Sequence, residues 1–264
     1  MSDYDRNVAA APFGQTAGRA SSVAVDQGLR AYMLRIYNYM VLGLAITGFA
    51  ALGIYMLSVT TDPTLAALKM RDGLMLTSLG KALFVSPLKW AVIFAPLAMV
   101  LLLSFAMERM RPATAQIGFW IFAALMGVSL ASVFLVFTHT SIVRVFFITA
   151  TSFGALSVWG YTTQRDLSGW GSFLMMGLFG VILASIVNIF MPNGMLQYII
   201  SVVGVLVFAG LTAYDTQRLK TEYLYGAMDG ETTERSAIIG ALSLYLNFIN
   251  LFTLLLQLLG QRDE

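Results

Sequence analysis

Two ionisable side chains stand where a membrane-length apolar run ends: Asp215 and, three residues on, Arg218. From Leu167 to Tyr214 the chain carries no charged residue over 48 positions. A carboxylate in the middle of such a run costs about 2.5 to 3.5 kcal/mol to insert, and less toward the interface. Asp215 therefore needs a partner or a task. Two readings stand. In one, Asp215 lies at headgroup level and pairs with Arg218 at i,i+3. In the other, it turns into the helix bundle and binds a proton or a cation. A second polar set follows in Ser243, Asn247 and Asn250, spaced i, i+4, i+7 and so on one helix face. In lipid such a face turns inward. It either hydrogen-bonds neighbouring helices, at about 0.6–2 kcal/mol per bond, or lines a cavity. Asn247 is best suited to approach Asp215, because its amide donates to a carboxylate. Ser243 and Arg218 support that pair from the same two helix faces.

The remaining chemistry is sparse. There is no cysteine, which excludes disulfides, thiolate metal sites and a cysteine nucleophile, and His139 is the single histidine. Gly240-Ala-Leu-Ser243 and Gly154-Ala-Leu-Ser157 place serines in apolar surroundings without a histidine base. Ligands for haem or zinc and a phosphate-binding loop are missing from the sequence. The expectation is a protein that is not an enzyme and has no resident cofactor.

Composition explains why these few polar groups carry the interest. Hydrophobic residues make up 58% and charged residues 11% of the 264 positions, the balance of a polytopic membrane protein. The net charge of +2 is too small to suggest nucleic acid as a partner. Residues 1–30 are polar and rich in Ala, Ser and Gly, and are expected to form a disordered cytoplasmic tail before a membrane domain over 31–264.

Charge-free windows place seven spans: Ile36–Thr61, Trp90–Met107, Thr114–Phe137, Val145–Gln164, Ser168–Met191, Met195–Tyr214 and Ser236–Gln261. Pro192-Asn193-Gly194 divides the long run. Leu74–Val85, between the first two spans, reads as a short surface helix or a plain loop. Gly43, Gly48, Gly53, Gly177 and Gly180 would permit close helix contact. With a cytoplasmic N-terminus, ten Lys and Arg fall inside and six outside, which favours that orientation. Glu108, Arg109 and Arg111 close the second span. A basic residue there either anchors the helix at the cytoplasmic face or reaches inward to Asp215.

Taken together, Ala213-Tyr-Asp-Thr-Gln217 and Ala241-Leu-Ser-Leu-Tyr-Leu-Asn-Phe-Ile-Asn-Leu-Phe252 resemble the Bax inhibitor-1 family. Phe146-Phe-Ile-Thr-Ala-Thr-Ser-Phe-Gly-Ala-Leu-Ser157, with Gly160-Tyr-Thr-Thr-Gln-Arg-Asp-Leu-Ser168, resembles its bacterial branch. The likeness covers roughly residues 30–260. It implies an all-α polytopic fold with six helices around a central seventh, in a bacterial inner membrane. It implies a calcium leak gated by pH, in which two aspartates on the last two helices share a proton and an arginine of the second helix latches onto them. Asp215 matches the first aspartate. The second falls on Asn247, where the pattern breaks, and the latch falls on Arg109 or Arg111. Two close carboxylates titrate as a coupled pair, which Asp with Asn does not. Calcium prefers six to eight oxygens with several carboxylates, so Asp215 with the amide oxygens of Asn247 and Asn250 is expected to hold it weakly. The rival expectation is a non-transporting regulator that binds another membrane protein, such as a quality-control protease.

Overall fold

The computed structural model describes residues 13–71, 74–226 and 230–263. Its chain runs α1 (Phe13–Ser58), β1 (Val59–Thr60), β2 (Leu68–Arg71), β3 (Leu74–Leu76), α2 (Ser78–Phe84), α3 (Leu88–Ala106), α4 (Pro112–Leu130), α5 (Val133–Val136), α6 (His139–Thr162), α7 (Ser168–Phe190), α8 (Gly194–Tyr225) and α9 (Gly230–Leu259). Seven helical stretches among the described residues are long and apolar enough to cross a membrane, with α4 and α5 together forming one of them. Hydrocarbon offers no partner to a free backbone N–H or C=O, so each crossing segment satisfies its own. The all-α polytopic fold expected from the sequence is the fold observed.

Helix α9 is the centre. Of its most apolar window 67% is buried, against 6–33% for the other six spans. It packs directly on α8, α1, α6 and α4, while α3 packs principally on α4 and α7 on α8. The arrangement around the central helix is therefore four close neighbours with two helices behind them.

Several boundaries differ from the sequence reading. Helix α1 starts at Phe13, so the tail boundary expected at residue 30 falls inside a helix, and residues 1–12 lie outside the described residues. Leu74–Val85 divides into strand β3 and helix α2. Thr77 caps α2 by accepting from the Gly80 backbone N–H. Strands β1, β3 and β2 form a small antiparallel sheet in that spatial order, an element the sequence reading did not include. The expected turn at Pro192-Asn193-Gly194 is where α7 gives way to α8. Asn193 caps α8 there by accepting from the N–H groups of Met195 and Leu196. Most consequential is the end of α8. It runs 11 residues past the Tyr214 boundary, because Asp215–Tyr225 contains neither glycine nor proline and Gly226 is the first helix breaker.

Small residues set how closely these helices approach. A Cβ on Gly160 of α6 would lie 2.3 Å from the Ala213 carbonyl oxygen of α8. Gly240 of α9 leaves room for the Leu219 side chain of α8. Of the five glycines expected at contacts, Gly43 and Gly177 lie against Phe119 and Val207, whereas Gly48, Gly53 and Gly180 face open space. The Gly160 contact is backbone against backbone, so neither partner can rotate away. Gly160→Ala is expected to push α6 from α8 and destabilise the protein by about 1–3 kcal/mol. A lower thermal midpoint in detergent would report this, and an unchanged midpoint would contradict the close seam.

Candidate functional site

Asp215 lies within α8 rather than at its end, ten residues before Tyr225. At 1.5 Å per residue its Cα is about 15 Å from the helix terminus. Its side chain is 9% exposed. One carboxylate oxygen, Oδ2, accepts from Ser243 Oγ and from Asn247 Nδ2, each at 2.8 Å. The other, Oδ1, pairs with an Arg218 guanidinium nitrogen at 3.2 Å. The Arg218 side chain is 47% exposed, so the pair links the buried site to its surroundings. Asp215 pairs with Arg218 along its own helix, and it faces the bundle.

The geometry follows from two helix periods meeting. On α9, Ser243 and Asn247 are one turn apart and both turn toward α8, so a single carboxylate reaches both. A buried carboxylate left without donors would carry a large desolvation cost. Here two neutral donors and one cation answer three of the four lone-pair positions it presents.

Residues on either side of Asp215 fix the rotation of α8. The Thr216 hydroxyl donates to the Thr212 carbonyl and lies 3.0 Å from Ser157 Oγ on α6, which in turn hydrogen-bonds the Tyr37 hydroxyl on α1. Gln217 grips the turn between α6 and α7, accepting from the Leu167 N–H and donating to the Arg165 carbonyl, both at 2.8 Å. Lys220 Nζ donates to the Tyr161 carbonyl and sits 5.2 Å from the centre of that tyrosine ring. On the far side of α9, the fully buried Tyr245 hydroxyl lies 2.6 Å from Thr47 Oγ1, and its ring meets Phe119 and Phe122 edge-on. The sequence alone gives no task to Thr216, Gln217 or Tyr245. The available signal was a polar side chain within a few residues of Asp215 or of Asn247.

Asp215, Arg218, Ser243 and Asn247 thus come together. Asn250 does not join them: its amide donates to the Leu246 carbonyl of its own helix. Arg109 follows α3 in a single 3-10 turn, Met107–Arg109, and Arg111 immediately precedes α4. Both are exposed, and among the described residues the one cation paired with Asp215 is Arg218. No group of three or more His, Cys, Asp or Glu that could hold a metal occurs among the described residues. A cation at this site would meet one carboxylate, with hydroxyl and amide oxygens nearby. Such a set suits brief contact better than tight retention.

Outside the spans, Asp166 accepts from the side chain and the backbone N–H of Ser168 at the start of α7, which holds its carboxyl below the usual carboxylate range.

Comparison with known proteins identifies the family of the chain. The family model described as "Inhibitor of apoptosis-promoting Bax1" matches residues 29–264. A protein of Caulobacter vibrioides is 44% identical over the full length of both chains. A Rickettsia prowazekii protein is 42% identical over 90% of this chain and 93% of its own. The inner membrane protein YbhL of Escherichia coli K12 is 38% identical over 92% of this chain and 96% of its own. With its seven spans and with Asp215 held between the last two helices, the chain belongs to the Bax inhibitor-1 family.

Proposed function

We propose that this protein is a passive cation leak of the bacterial inner membrane, with calcium the first ion to test and Asp215 the group that contacts it. The observation that carries the reading is the buried Asp215 carboxylate, reached by Ser243 and Asn247 and balanced by Arg218. An ionisable group kept inside a membrane bundle at such cost marks an ion or proton site more often than a packing detail. The family resemblance supports the leak reading, the inner-membrane relative supports the location, and the Lys and Arg distribution supports a cytoplasmic N-terminus.

In this reading Arg218 is the counter-ion that a cation displaces. It occupies the role the resemblance gave to Arg109 or Arg111, but from Asp215's own helix. Asn247 donates to Asp215 where a second aspartate would share its proton. One negative charge is therefore missing, and no coupled pair of carboxylates exists to titrate. The pH response is accordingly simpler than that of a two-aspartate site, and cation contact is weaker.

Calcium flux into liposomes containing purified protein, at pH 6 and pH 8, tests the reading. Asp215→Asn is expected to lower flux about tenfold, the factor that corresponds to losing ~1.4 kcal/mol of ion stabilisation. Arg218→Gln is expected to raise flux by removing the competing cation. Asn247→Asp is expected to add a second carboxylate and with it a steeper pH dependence. If wild type and all three variants match empty liposomes, the leak reading fails.

A further inference from the structure

Helices α1 and α6 both pack on α9 but stand apart from each other, and a groove of 960 Å³ opens between them toward the lipid. Its walls are apolar, with Leu34, Val41 and Phe49 on α1, and Phe146, Ala150 and Val158 on α6, over a floor that includes Phe248 of α9. A second space of 490 Å³ shares Leu44, Gly48, Phe146 and Phe248 with it and continues to His139. Arg30 stands exposed at the other end of the groove, beside Tyr161, whose ring carries the Lys220 ammonium.

Dimensions admit an acyl chain. From Arg30 to Leu52 the groove follows α1 for about 33 Å. One acyl chain reaches half of the ~30 Å hydrocarbon core, so a chain that enters at Arg30 ends within the groove. Charge selects the headgroup, because basic side chains at the mouth of a crevice between membrane helices attract anionic lipid phosphates.

We propose that the groove between α1 and α6 binds one anionic phospholipid, with its phosphate at Arg30 and an acyl chain along the apolar walls. The bound chain passes Tyr37 and Ser157, whose hydroxyls lead to Thr216, the residue next to Asp215. The site does not depend on the leak reading, and its test has a separate readout.

Two positions allow clean variants. Arg30 is exposed, so Arg30→Gln removes charge without opening the core. Gly154 lines the groove, and a Cβ there would meet nothing within 4 Å, so Gly154→Leu projects into the space an acyl chain would fill. The purified full-length protein is placed in nanodiscs of phosphatidylcholine mixed with phosphatidylglycerol, and native mass spectrometry counts the lipids retained on release. Wild type is expected to retain one phosphatidylglycerol with about fivefold preference, the factor that corresponds to ~1 kcal/mol per basic residue at a membrane surface. Arg30→Gln should lose the preference and Arg30→Lys should keep most of it. Gly154→Leu should retain less lipid of either kind while its thermal midpoint in phosphatidylcholine stays that of wild type. The proposal is overturned if wild type retains both lipids equally, or if Gly154→Leu retains phosphatidylglycerol as wild type does. It is also overturned if wild type emerges as a lipid-free dimer that Gly154→Leu dissociates, since the occupant is then a second copy. Should Arg30→Gln not fold, the Gly154→Leu result decides alone.

Discussion

A carboxylate inside a membrane bundle has to be answered by donors, and that one demand accounts for much of this architecture. Asp215 Oδ2 takes hydrogen bonds from Ser243 and Asn247, and Oδ1 faces Arg218. The donors sit on α9, so α8 and α9 must pass close by at this level and in fixed rotation. Gly240 provides part of that closeness by admitting Leu219. The rotation is held from the other side, where Gln217 grips the turn before α7 and Thr216 reaches Ser157. Remove the carboxylate, and the polar face of α9 has no reason to point where it does.

The same demand places α9 at the centre. A helix bearing Ser243, Asn247 and Asn250 is poorly suited to a lipid-facing position, and its apolar window is the most buried of the seven. The opposite face of α9 is no less engaged: Tyr245 meets Phe119 and Phe122 of α4 and reaches Thr47 of α1. One helix thus carries a polar contact toward α8 and an aromatic contact toward α4. The outer helices, above all α7 with 6% of its window buried, remain largely apolar surfaces for the bilayer.

Much of this was legible in the sequence. Charge-free windows located all seven spans because lipid imposes length and composition directly. The i, i+4 spacing of Ser243 and Asn247 showed a shared face, and amide chemistry singled out Asn247 as the partner of Asp215. The missed features depend on contacts between distant segments. The continuation of α8 to Tyr225 was hidden because charge was read as a membrane boundary, whereas Asp215 is buried by donors from another helix. The sheet of β1, β3 and β2 comprises strands of two to four residues, too short to show a period. Arg109 and Arg111 stood between two roles, an anchor at the cytoplasmic face and the inward latch that the family resemblance implies. The i,i+3 neighbour Arg218 already supplies the positive charge to Asp215. The groove between α1 and α6 follows from how helices diverge around α9, which no local pattern encodes.

The central claim is that the Asp215 carboxylate is the group a cation meets. Its most direct test is a calcium-induced infrared difference spectrum of the purified protein, with Asp215→Asn as the reference. The account predicts a carboxylate stretching band that shifts on calcium addition in wild type and is missing from Asp215→Asn. Identical calcium-induced spectra for the two proteins would contradict it, and would return Asp215 to a purely structural role between α8 and α9.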